Sequence, residues 1–180
     1  MKINKTHLEG VIIIEPTVFG DGRGHFFESY RLDKLSEFGV NDDFVQDNQS
    51  LSAKGILRGL HFQTGEYAQG KLVRVIKGAV VDVAVDIRKS SATYGQHIAV
   101  ELNENNKTIM YVPPGFAHGF VTLEDDTIFT YKCTNYYNKD SEGAILWNSS
   151  ALGIDWGITK PILSEKDKDA IDFVKFDSPF

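Results

Sequence analysis

The sequence predicts an all-β fold, an antiparallel sandwich or barrel with a few short peripheral helices, built as one domain over residues 1–180. Three observations predict it. Val81, Val83, Val85 and Ile87 occupy one phase of a two-residue alternation, while Val80, Asp82, Ala84 and Asp86 occupy the other, so that a strand would have one apolar and one mixed face. Similar short runs recur along the chain. Turn signals separate them at Asp21-Gly22, Gly70, Gly78, Asn103 to Asn106, Pro113-Pro114-Gly115 and Glu124 to Asp126.

Taken in order, strands are expected at 11–14 and 26–30, then from His61, at 72–77 and over the alternating run that follows. Further strands are expected at 97–102, 108–112, 119–123, 127–133 and 144–147. The polar run Gln46-Asp47-Asn48-Gln49-Ser50 reads as a loop. A helix is expected over 31–38, where Leu32, Leu35 and Phe38 share a face and Gly39 supplies the stop. A second begins at Ser164, because Ser164-Glu165-Lys166-Asp167 has the spacing of a capping box.

Composition narrows the function. Hydrophobic residues make up 42% and charged residues 24% of the 180, ordinary for a soluble globular protein. A net charge of -6 leaves no basic footprint for nucleic acid, so an anionic ligand would have to be held by local cations. The sole cysteine, Cys133, excludes an internal disulfide and reads as a buried thiol, which fits a reducing compartment. No apolar run approaches the ~18 residues of a membrane span. The early stretch Val11 to Ile14 is too short for a signal sequence, and a cytoplasmic protein with no membrane partner is expected.

The segment Arg58-Gly59-Leu60-His61-Phe62-Gln63, with Lys71, carries the chemistry. Small metal-binding barrels of the cupin type place His-x-His and a carboxylate here. This chain has His61, but Gln63 stands at the second position and Lys71 at the carboxylate position, seven residues before Gly78. Gln is a poor substitute for imidazole and an ammonium repels a divalent cation, so no metal is expected. The pattern suits an anion formed during reaction, with a histidine beside it as base. Arg58 has the opposite phase to His61 in a regular strand and would need a bend to reach the same cavity. The run Pro113-Pro114-Gly115-Phe116-Ala117-His118 would bring His118 to that cavity in a barrel. On its own the glycine-rich segment around Arg23 and Phe26 reads first as a hairpin entering a strand; in the functional reading Arg23 meets a phosphate and Phe26 presents a flat apolar face. Taken singly, Tyr131 and Tyr137 read as packing aromatics and Asp167 as a capping carboxylate. No Gly-x-Ser-x-Gly elbow, Gly-x-Gly-x-x-Gly fingerprint or P-loop is present.

Together, the ordered blocks RGHFFE, FVQDNQS, ILRGLHFQ, GKLVRVIKGAVVDVAVDIR, YVPPGFAHGF, YKCTNYYN and LSEKD resemble the dTDP-4-dehydrorhamnose 3,5-epimerase family over nearly the whole chain. The resemblance implies a jelly-roll barrel of the cupin superfamily, assembled as a homodimer and working without a cofactor. It implies as substrate a dTDP-4-keto-6-deoxy sugar, inverted at C3 and C5 through enolates. His61 would be the base, Asp167 its orienting carboxylate, Tyr131 the acid on the other face, and Lys71 the partner of the oxyanion. Arg23, Arg58 and His118 would hold the sugar and diphosphate; Phe26, Glu28, Gln46 and Asn48 would line the nucleotide pocket, with Tyr137 near the base or sugar. The 23–28 segment can come from the partner subunit, and His25 receives no role. A 3-epimerase acting on another dTDP-4-keto-6-deoxy sugar has the same residue set. A non-catalytic sugar-binding cupin is the alternative from another class, although it would not need Tyr131 and Lys71 together with His61.

Overall fold

The computed structural model describes Met1 to Phe180. In chain order its strands are β1 (Lys2–Lys5), β2 (Ile12–Glu15), β3 (Phe19–Asp21), β4 (Gly24–Phe26), β5 (Gln46–Ser52), β6 (Leu57–Gln63) and β7 (Lys71–Lys77). They continue as β8 (Ala79–Asp86), β9 (His97–Asn103), β10 (Ile109–Val112), β11 (Phe116–Thr122), β12 (Thr127–Cys133) and β13 (Glu142–Ala144). One antiparallel sheet runs β1-β2-β10-β7-β12-β5, a second runs β13-β6-β11-β8-β9, and β3 and β4 form a separate hairpin. The two sheets make the jelly roll. Helices are short and peripheral: α1 (Leu32–Ser36), α2 (Glu165–Lys168) and three single turns of 3₁₀ helix.

The alternation of β8 explains the layering. Val80 and Ala84 pack between the sheets against Val73, Met110, Phe120 and Phe129. Val83, Val85 and Ile87 point the other way, yet they are also buried, because Leu152, Trp156 and the irregular chain around them cover the outer face of the second sheet. A third cluster covers the first sheet, where Leu35 of α1 and Val40 pack on Ile12, Ile14, Leu72 and Ile109. Both phases of a central strand are therefore apolar for different reasons, and the charged residues left on its inner phase stand out.

Four expectations change. The 46–50 run is not a loop: it lies in β5, paired with β12 from Gln46 opposite Cys133 to Ser52 opposite Thr127. It is polar because β5 is a sheet edge with solvent on one phase and a cavity on the other. The expected strand at 26–30 stops at Phe26. Beyond it Phe27 and Tyr30 are used as anchors, Phe27 under the Arg74 guanidinium at 5.9 Å and Tyr30 edge-on to Phe44 at 5.4 Å. The strand placed at 144–147 lies at Glu142–Ala144, and α1 covers only the middle of 31–38, ending before Gly39 with its φ of +88°. Strands β1 and β3 carried no clear signal.

One irregularity sets up the site. Across β6 and β11, His61 pairs with His118 but Arg58 pairs with Phe120, so two residues of β6, Gly59 and Leu60, face the single Gly119 of β11. The extra residue at Gly59-Leu60 is a bulge, and it supplies the bend that lets Arg58 and His61 line one cavity. Glycine is required there: Gly59 has φ +139°, and a Cβ on it would meet Gly119 Cα at 2.5 Å.

Candidate active site

The cavity opens between the sheets as two adjoining lobes that share Asn48, His61, Lys71 and Tyr131. One, about 240 Å³, is lined further by Ser50, Arg58, His118 and Asp167. The other, about 280 Å³, reaches Gln46, Gln63, Tyr137 and Glu142. Strands position most of these groups: β6 carries Arg58 and His61, β7 opens with Lys71, and β12 presents Tyr131 opposite Asn48 of β5.

Asp167 arrives from outside the barrel. Ser164 caps α2, its Oγ accepting from the Asp167 amide at 3.2 Å and donating to Asp167 Oδ2 at 2.7 Å. This leaves Asp167 Oδ1 2.5 Å from His61 Nε2, with Asp167 itself 2% exposed. A carboxylate only accepts, so Nε2 carries the proton and the imidazole is fixed in the tautomer whose Nδ1 is free. Burial pushes the Asp167 carboxyl up, but hydrogen bonds from His61, Ser164 and the Gly59 amide outweigh it and hold the group below its ordinary range.

Lys71 has no carboxylate in contact. Burial pulls its ammonium below the usual lysine value, opposed by the more distant charges of Cys133, Asp82 and Glu142. Its Nζ lies 6.0 Å from the centre of the Tyr131 ring. Burial raises the Tyr131 phenol, which therefore keeps its proton. Cys133 is fully buried with its thiol pushed up by burial, and receives a hydrogen bond from Asn48 Nδ2 at 3.5 Å. His118 is 6% exposed, its Nε2 lying 2.9 and 3.0 Å from the two oxygens of Asp82.

Gln63, two residues after His61, is committed to the backbone. Its Nε2 donates to the Tyr67 and Tyr136 carbonyls at 2.7 and 3.1 Å, and its Oε1 accepts from the Asn138 amide at 2.8 Å. It ties two loops together at the cavity mouth. No three His, Cys, Asp or Glu side chains converge in the chain as a metal centre would require.

Nine of the residues singled out in the sequence thus line the cavity: Gln46, Asn48, Arg58, His61, Lys71, His118, Tyr131, Tyr137 and Asp167. Three do not. Arg23 is paired with Asp21 at 2.5 Å, Phe26 is 66% exposed on the β3–β4 hairpin, and Glu28 is paired with Arg31 at 3.2 Å. Sequence reasoning missed Glu142, which is paired with Lys166 and accepts from the Tyr137 hydroxyl at 3.1 Å. Nothing local marks it among 25 acidic residues. It also missed Ser50, whose Oγ is the one buried side-chain polar atom without a partner. Asp82 did leave a signal, as a carboxylate between Val80 and Ala84 on the mixed phase of β8.

A jelly roll whose cavity sets an imidazole–carboxylate pair beside a buried ammonium is a cupin-type barrel with groups of the kind that can transfer protons. Comparison with known proteins is specific. Residues 5–175 match the family model described as dTDP-4-dehydrorhamnose 3,5-epimerase. The protein of that name from Salmonella typhimurium is 56% identical over 169 residues, covering 93% of this chain and 92% of that one. The crystal structure of the Elizabethkingia anophelis dTDP-4-dehydrorhamnose 3,5-epimerase is 53% identical and superposes with a TM-score of 0.93 over 97% of each chain. A dTDP-6-deoxy-D-glucose-3,5-epimerase from Legionella pneumophila, solved with dTDP-4-keto-L-rhamnose, is 46% identical, with a TM-score of 0.93 over 98% of this chain and 94% of that one. The chain belongs to the dTDP-4-dehydrorhamnose 3,5-epimerase family.

Proposed function

We propose that the protein is an isomerase converting dTDP-4-dehydro-6-deoxy-α-D-glucose to dTDP-4-dehydro-β-L-rhamnose by inverting C3 and C5, a step of dTDP-L-rhamnose synthesis in the cytoplasm. The C4 ketone acidifies both neighbouring C–H bonds. Removing either proton gives an enolate, and returning one to the opposite face inverts that carbon.

The observation that carries this reading is the His61–Asp167 pair at 2.5 Å, set in one cavity with Lys71 and Tyr131. With Nε2 committed to Asp167, His61 takes the substrate proton on Nδ1, and Asp167 stabilises the imidazolium that results. Proton transfer by groups so placed contributes roughly 10²–10⁴-fold. Lys71 lies at the developing C4 oxyanion; in a site that excludes water, one such donor is worth roughly 3–4 kcal/mol. Tyr131, a phenol held protonated by its burial, supplies the proton on the other face. The ketone does the activating, so the donor set calls for no cofactor.

Arg58 holds the diphosphate and His118 the sugar in this reading, while Gln46, Asn48 and Tyr137 hold the nucleotide end. Arg23, Phe26 and Glu28 complete the site from a partner subunit in a homodimer. The hairpin that bears the first two supports this: Phe19 and Phe26, on β3 and β4, are 62% and 66% exposed, a poor surface for a lone chain. Incubation with dTDP-4-dehydro-6-deoxy-glucose in D₂O tests the function. Deuterium is expected at both C3 and C5 by NMR; incorporation at C3 alone would make the protein a 3-epimerase, and none at either carbon would remove the catalytic reading.

A further inference from the structure

The cavity contains a second imidazole–carboxylate pair, whose carboxylate has no part in the reaction proposed above. Asp82 is completely buried on the inner phase of β8, and its two oxygens have one partner in the chain, His118 Nε2, at 2.9 and 3.0 Å. A buried carboxylate is retained at a cost unless it is paired, and unlike Asp86 at the end of the same strand, which is paired with Arg88, Ser91 and Thr93, Asp82 has only His118, so its position calls for a use. What it does to His118 follows from hydrogen-bond roles. The carboxylate can only accept, so Nε2 carries the proton, and Nδ1 is the nitrogen whose state is open. Nδ1 has no partner in the chain. It is also not sealed in, because Ser50 Oγ alone is both buried and unpartnered, and the residue that carries it lines the cavity. The ring's tilt is fixed as well: it stacks on Phe129 at 6.4 Å and 19°, and Phe129 stacks in turn on Phe120 at 4.1 Å.

The register supplies the rest. His118 and His61 are direct cross-strand partners on β11 and β6. Side chains so paired start within about 5 Å of one another. A sugar whose C3 or C5 reaches His61 Nδ1 therefore brings its neighbouring oxygens to His118.

Resting on the epimerase reading, we propose that Asp82 is a positioning residue: through His118 Nε2 it locks the His118 ring so that Nδ1 meets an oxygen substituent of the sugar ring beside the reacting carbons. Asp82 touches no substrate. Its effect is exerted through the tautomer and tilt of His118, and it bears on the sugar and not on the nucleotide.

The test compares Asp82→Asn, His118→Phe and the double variant with the wild-type protein, by steady-state kinetics on dTDP-4-dehydro-6-deoxy-glucose, position-resolved deuterium uptake at C3 and C5, and titration with dTDP. Wild-type turnover checks the epimerase reading independently; if the wild type does not exchange, that reading fails before Asp82 is at issue. With an active wild type, Asp82→Asn is expected to lose at least about tenfold in kcat/KM. Its dTDP affinity should stay within twofold, and its ratio of C3 to C5 exchange should change. The double variant is expected to be no slower than His118→Phe, because two residues acting as one unit are not additive. Kinetics of Asp82→Asn near wild type would overturn the proposal, as would an equal further loss when Asp82→Asn is added to His118→Phe. If Asp82→Asn does not fold, Asp82→Val with His118→Phe removes both halves of the pair and extends the apolar lining. A loss in that variant well beyond His118→Phe alone would also sink the idea.

Discussion

His61 should be the residue whose loss is most complete. In His61→Asn the amide cannot take a proton, and exchange at C3 and C5 should both fall by roughly 10²–10⁴-fold, while dTDP titrates as before, since the diphosphate is held elsewhere. Exchange surviving at either carbon would assign that carbon to another base. Tyr131→Phe should behave differently. It leaves His61, Asp167 and Lys71 intact, so enolate formation continues while the proton on the far face is missing. Solvent deuterium should wash in with retained configuration, and the yield of inverted sugar, trapped by reduction, should drop by more than exchange does. Equal losses would reduce Tyr131 to a wall of the pocket. Lys71 gives a signed pH dependence. Burial lowers its pKa below the usual lysine value, and the reaction needs the ammonium, so kcat should fall as pH rises through that lowered value. Stability should move the opposite way. The unfolded chain binds the proton more tightly, so the penalty of burying the charge is lifted between the folded and unfolded pKa, and stability rises there. Parallel pH–rate and pH–stability curves for wild type and Lys71→Met test both signs; a wild-type alkaline limb that coincides with the unperturbed lysine range would show that Lys71 is not the group concerned.

Helix α2 is four residues long, yet it delivers Asp167 to the site. Ser164→Ala removes both the cap and the donor to Asp167 Oδ2, and should cost about 1 kcal/mol of stability. Because Asp167 then turns more freely, kcat should fall more than KM rises; a loss of melting temperature with unchanged kcat would make Ser164 a cap and nothing more. This scale also shows what could be read from the chain alone. The strands β7 to β12 were legible because a two-residue period and turn residues are local signals. So was the cap at Ser164. Strand β5 was not, since an edge strand facing water and a polar cavity has the composition of a loop. The need for a bend between Arg58 and His61 could be stated, but its form, a bulge allowed by Gly59 against Gly119, depends on a partner strand 60 residues later. Asp167 carries a sufficient local explanation as a capping residue, and only the docking of α2 beside β6 gives it a second. Glu142 had no signal at all, because its meaning comes from Lys166 and Tyr137, both brought to it by the fold.

At the scale of the whole molecule, a single chain has the cavity but leaves Arg23, Phe26 and Glu28 outside it. If the hairpin completes a neighbour's site, two inactive variants should rescue each other. Arg23→Ala with Phe26→Ala spoils only the hairpin, and His61→Asn spoils only the base. Mixed in equal amounts after dissociation and reassembly, they should regain about a quarter of wild-type activity, because half the dimers are mixed and one of the two sites in each is intact. Sedimentation should show a dimer at assay concentration. A fully active monomer, or a mixture with no recovery, would remove the shared site.

The pair His61 and Asp167 spans 106 positions, and this separation has a consequence for the making of the protein. Every strand of both sheets lies at or before Ala144, so a chain grown only that far carries all the strands of the barrel and most of the cavity before residue 167 is added. What it lacks until then is the carboxylate that makes the imidazole a base. Chemistry is switched on last. A prematurely terminated chain would hold a reactive keto sugar without drawing protons from it, and a released chain truncated after Leu163 should bind dTDP but exchange no deuterium.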